Sequence, residues 1–118
     1  MEKIGIIGCR IRDDSISYQK VEDVFKSIFQ EGDIIISGGC PKGGDRFAEV
    51  IAAKFSISIK IFKPNWELGR HAGFLRNTDI AKNSTVLIAC VAPDRLGGTE
   101  DTIKKFKKLH SKPKIILC

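Results

Sequence analysis

The stretch Asp33-Ile34-Ile35-Ile36-Ser37-Gly38-Gly39-Cys40-Pro41-Lys42-Gly43-Gly44-Asp45 decides how the chain folds. It opens with an unbroken apolar run, too short for a helix and rich in a β-branched residue. Such a run reads as a strand, Asp33 to Ser37, buried on both faces. The glycine cluster that follows marks a turn. Residues 44–55 then place Phe47, Ile51 and Phe55 on one stripe at helical spacing. A buried strand, a glycine-rich turn and an amphipathic helix together make one half of a βαβ unit.

The same order recurs on either side. Upstream, Ile4 to Gly8 reads as a first buried strand. Residues 17–31 form a helix in which Val21, Val24, Phe25, Ile28 and Phe29 share a face, with Gly32 as its stop. Downstream come a strand at Ser58 to Phe62, a helix at Arg70 to Asn83, and an apolar strand at Thr85 to Val91. A helix at Thr99 to His110 and a last strand at Lys114 to Leu117 complete the chain. Strands that alternate with helices imply a parallel sheet covered on both faces. Right-handed crossovers then favour a Rossmann-like, doubly wound open sheet of five strands, order 3-2-1-4-5, in a single domain over residues 1–118.

Composition narrows the function classes. The chain has 118 residues and a net charge of +6 at pH 7. No apolar stretch approaches the roughly 18 residues of a membrane span, and the N-terminus shows no signal-peptide pattern, so the cytoplasm is the expected compartment and no membrane partner is expected. The cysteines, Cys9, Cys40, Cys90 and Cys118, form no Cys-x-x-Cys pair. A zinc site is therefore not expected, nor is a disulfide framework in a chain with this much core. Cys9, Cys40 and Cys90 fall near strand ends and can share one edge of the sheet; small buried thiols are the plainer reading. The positive charge points to anionic partners. Lys104, Lys105, Lys107, Lys108, Lys112 and Lys114 crowd the C-terminal region, while Glu100 and Asp101 open the last helix. That polarity suits the helix dipole and ranks nucleic acid below a small nucleotide as partner.

Open parallel sheets bind ligands at the carboxyl ends of their strands, where strand order reverses. Four segments therefore matter. After the first strand, Gly8 permits a tight turn and Arg10 can grip phosphate or carboxylate, or simply sit at the surface beside two aspartates. After the second, Ser37, Gly38, Gly39 and Gly43 can bring backbone N–H groups to a phosphate at a helix N-terminus. They read equally well as a tight turn, with Asp45 only a first-turn acid. After the third come Trp66, Arg76 and Asn77, an aromatic face among donors that suits a base and its phosphates. A lone tryptophan is more often core. After the fourth, Gly97, Gly98 and Thr99 repeat the glycine-rich helix start, with Thr99 as N-cap or phosphate contact. Two such starts on one edge are stronger than one. The stretch after the second strand fits neither Gly-x-x-x-x-Gly-Lys-Ser/Thr nor Gly-x-Gly-x-x-Gly. If the site is catalytic, Asp45 and Glu100 are the carboxylates for acid–base work, and a helix N-terminus would keep each ionised.

In this order the segments resemble the SLOG superfamily, the Rossmann-like group that includes DprA and the LOG phosphoribohydrolases, and within it the small stand-alone branch related to YspA and YpsA. Gly8-Cys9-Arg10 stands for its Gly-Ser-Arg. Ser37, Gly38, Gly39, Gly43 and Asp45 match its Ser-Gly-Gly segment. Trp66, then Ala72, Gly73, Arg76 and Asn77, match its Trp-to-Asn segment with a shift of one position near Gly69 and Arg70. Gly97, Gly98 and Thr99 match its Gly-Gly-Thr. The resemblance implies binding of a nucleotide or a nucleotide-derived ligand such as NAD or ADP-ribose, as sensor or binding module. It also allows hydrolysis of an N-glycosidic or phosphate-ester bond, or DprA-like nucleic-acid binding. Leu96 stands where the LOG enzymes have proline, and Thr102 lies where they carry glutamate. An open sheet with free edges also allows a homodimer.

Overall fold

Strands without a polar face must be covered on both sides, and helices on both faces do so here. The computed structural model describes residues 1–118. It places β1 (Lys3–Gly8), β2 (Ile34–Ser37), β3 (Ile59–Ile61), β4 (Val86–Cys90) and β5 (Ile115–Leu117) in one sheet. Every pairing is parallel and the order is β3-β2-β1-β4-β5. This is the Rossmann-like arrangement expected from the alternation of apolar runs and helical stripes. Ile4 sits opposite Ile35 on one side, and Gly8 opposite Cys90 on the other.

Successive strand residues point to opposite faces, so β1 feeds two cores. Ile4 and Ile6 pack with Val21 and Phe25 of α1 (Ser15–Ile28) and with Phe47 and Ile51 of α2 (Gly44–Phe55). Ile7 packs on the other face with Ile80 of α3 (Ala72–Asn83) and with Ile103 and Phe106 of α4 (Gly98–Leu109). Phe25, Phe47 and Phe106 are fully buried; truncating any one to alanine costs about 3–5 kcal/mol. No helix is long and apolar enough to cross a membrane.

Several element ends shift by one or two residues from the sequence reading, among them the start of α1 at Ser15, which Asp14 caps; three differences have a local cause. Gly32 does not stop α1, which ends at Ile28. The reason is Asp33, buried at 6% exposure, whose carboxylate accepts from the Glu2 and Gln30 N–H groups. That holds the chain in a separate turn before β2. The third helix begins at Ala72 rather than Arg70. A 3-10 segment, Trp66–His71, precedes it and is broken at Gly69, where φ is 81°. Thr99 is not an N-cap: Gly97 caps α4, and Thr99 lies inside the first turn.

Polarity along the helices is consistent. The last turns carry Lys26, Lys54, Lys82, and Lys107 with Lys108, as the helix dipole favours. Acids stand in the first turns of α2 and α4, Asp45 in one and Glu100 with Asp101 in the other.

Candidate functional site

Strand order reverses between β1 and β4, since β1 continues leftward to β2 while β4 lies on its right. A cavity of about 420 Å³ opens there, within the range of small-ligand sites. Its floor is the end of β1, Ile7 to Gly8. One wall is Cys40 and Asp45; another is Arg76, Asn77 and Ile80 of α3; the third is the start of α4.

The α4 wall presents uncovered backbone to the cavity. Gly97 has φ 108° and leads into the helix with no side chain bonding to its first-turn N–H groups. Such groups have no acceptor within the helix and carry positive potential. A Cβ on Gly97 would meet nothing within 4 Å, and one on Gly98 would come no nearer than 3.9 Å to Asn77 Nδ2. Thr102 is buried beneath, its hydroxyl donating to the Gly98 carbonyl at 3.2 Å. The backbone here is accessible to a ligand.

Two arginines add fixed charge. Arg10 is exposed on the rim and belongs to none of the ion pairs in the structure. Arg76 is held in place: Nη1 donates to the Gly38 carbonyl at 2.6 Å and Nε to Asn77 Oδ1 at 3.0 Å. Asn77 is buried and in turn donates to Gly98 O and to Asp101 Oδ2. This chain ties α3 to the α4 start and fixes the wall's geometry.

Asp45 is the one carboxylate on the cavity wall, 8% exposed. Burial pushes its carboxyl above the usual carboxylate range; the N–H groups of Cys40 and Gly38 and the Arg76 guanidinium oppose that rise. The Cys40 N–H donates to Oδ2 at 3.1 Å. Burial therefore works against the helix N-terminus and the donors, which favour the ionised carboxylate.

No protein family, curated protein or solved structure matches the chain. The site therefore stands on its own geometry.

That geometry sorts the residues singled out in the sequence. Gly8, Arg10, Asp45, Arg76, Asn77, Gly97, Gly98 and Thr99 line the cavity. Ser37, Gly38, Gly39 and Gly43 do not. Ser37 is buried, its hydroxyl facing the Gly39 N–H. Gly38 lies under Arg76: a Cβ there would be 2.5 Å from Nη1. Gly39 faces Ile61 and Lys63, and a Cβ on Gly43 would strike the Cys9 carbonyl oxygen. Gly44 is equally tight against the Ile7–Gly8 peptide. Gly43 and Gly44 let the start of α2 press onto the end of β1. Trp66 is 65% exposed and is not on the cavity wall; its ring reaches toward Gly73 instead. Glu100 is also off the wall, gripped by Arg95 at 2.7 and 3.0 Å. Asp45 and Glu100 thus form no carboxylate pair across the cavity.

The cavity also takes Cys9, Cys40, Leu96 and Thr102, which the sequence reading did not assign to ligand contact. The position of Cys9 and Cys40 just past strand ends was the available signal. For Thr102, helical spacing from Gly98 would have served.

Proposed function

We propose that the crevice between β1 and β4 binds a nucleotide or nucleotide-derived ligand of the NAD, ADP-ribose or nucleoside phosphate type. The single observation that carries this reading is the α4 start at Gly97–Gly98, whose first-turn N–H groups no side chain covers, open to a cavity flanked by Arg10 and Arg76. Phosphate groups would lie on the first-turn N–H groups of α4, with Arg10 closing over them from the rim. The cavity volume suits one nucleotide. The resemblance of the glycine and Trp-to-Asn segments to the SLOG superfamily supports the same ligand class. Binding is favoured over hydrolysis because Asp45 stands alone on the wall and Glu100 is engaged elsewhere.

Native mass spectrometry with AMP, ATP, NAD and ADP-ribose tests this. One ligand should bind stoichiometrically and be lost in Arg10→Ala, whose side chain holds no other part of the fold. If none binds, the proposal fails. If a bound ligand is converted to products over time, Asp45 becomes the acid–base candidate and the hydrolase reading replaces the binding one.

A further inference from the structure

After Asp101 the chain contains no Asp or Glu, yet it carries Lys104, Lys105, Lys107, Lys108, Lys112 and Lys114. Lys105 pairs with Asp101. The others are exposed and enter no ion pair. Helix polarity accounts for Lys107 and Lys108, which occupy the last turn of α4. It does not account for Lys104 in mid-helix, or for Lys112 and Lys114 beyond it. Lys104 and Lys108 are four residues apart, so they stand about 5–6 Å from each other on one helix face. Lys114 leads into β5, where its carbonyl accepts from Leu87 N–H. His110 contacts the Ala81 carbonyl, which brings Lys82 of α3 to the same end.

We propose that the outward face of α4, continued through Lys112 and Lys114, binds the phosphate backbone of a nucleic-acid strand. This surface is separate from the crevice: α4 begins at the crevice and its lysine-bearing half leads away over its length of about 18 Å. Leu109 and, beside Lys105, Phe74 of α3 are exposed at one edge of this face, but its centre, Lys104, Lys107 and Lys108, is lysine alone, whereas a membrane-seeking helix needs a broad apolar flank to bury. Protein interfaces disfavour lysine and enrich aromatics in their centres; here the centre is lysine and the one aromatic, Phe74, stands at the Lys105 edge. Lysines are point charges that position phosphates without reading bases, so binding is independent of sequence.

The test is fluorescence anisotropy of the full chain with a labelled single-stranded oligonucleotide of about 20 bases, from about 50 to about 250 mM salt. With about five phosphate contacts, log K should fall against log salt with a slope of about −3.5. Lys104→Ala/Lys108→Ala should weaken binding about tenfold at the lowest salt and make the slope shallower by about 1.4. A second oligonucleotide of different sequence should give the same values. Arg10→Ala, in the crevice, should leave both unchanged. The proposal is overturned if the oligonucleotide does not bind at low salt, or if the double variant keeps the parent slope with its circular dichroism intact. It is also overturned if the loss follows Arg10→Ala, or if anionic vesicles or a Glu-rich peptide bind and the oligonucleotide does not. Failure here leaves nucleotide binding in the crevice standing, and the reverse holds as well.

Discussion

The loops after β2 and β4 look alike in sequence, each a pair of glycines entering a helix, yet their glycines do opposite work. In the first, Gly43 and Gly44 have no space for a methyl group because the Cys9 carbonyl and the Ile7–Gly8 peptide occupy it. In the second, Gly97 and Gly98 face open space. One loop uses the missing side chain to bring protein onto protein; the other leaves a helix start uncovered. A glycine-rich turn thus signals close approach, but the approaching group has to be found in the structure.

The largest test of that difference is stability. Gly44→Ala should cost about 3 kcal/mol or more, because its Cβ meets backbone that cannot yield cheaply. Gly98→Ala should change stability by no more than about 0.5 kcal/mol. Urea midpoints of the two variants make the comparison, and equal losses would break it.

Ligand binding should invert the order. Gly98→Ala places a methyl group where phosphate would rest and should weaken nucleotide affinity about tenfold, or about 1.4 kcal/mol. Calorimetric titration of the variant beside the parent protein checks this. An unchanged affinity would place the ligand elsewhere.

A pH series sharpens the role of Asp45. Its folded carboxyl titrates above its unfolded value of 3.8, chiefly through burial. The favourable contribution is therefore fully present below that value and is lost as pH rises through the folded one. Relative to Asp45→Asn, the parent protein should lose stability between the acid end and neutrality, as read by denaturant unfolding at each pH. A relative gain with pH would mean that Arg76 and the N–H donors outweigh burial.

The smallest effect belongs to the Arg95–Glu100 fork on the β4 side. Arg95 is 46% exposed in its side chain, and such pairs contribute at most about 1 kcal/mol. Arg95→Ala should shift the thermal midpoint barely and leave nucleotide affinity as it was. A large loss of affinity would bring Glu100 back into the site.

Much of this was legible in the chain. Unbroken apolar runs such as Ile34–Ile36 and Val86–Cys90 can only be strands covered twice, and their alternation with helical stripes leads to the sheet and its order. The crevice followed from topology, which located Arg10, Arg76, Asn77 and Gly98 without any contact being known. The rest turned on tertiary contacts. Trp66 belongs to an exposed 3-10 segment, Trp66–His71, that lies off the cavity wall. Glu100 was set aside by an arginine five residues earlier. Asp33 closes the turn after α1 by accepting from the Gln30 N–H, and is held there by the Glu2 N–H, a partner 31 residues away that no local pattern announces.

The most direct measurement is a two-dimensional amide NMR titration with AMP and ADP-ribose. The largest shifts are expected at the amides of Gly97, Gly98, Thr99 and Glu100, with Gly43 and Gly44 nearly still. Shifts centred on Gly43 and Gly44, or none at the α4 start, would contradict the assignment of the anion seat to that helix.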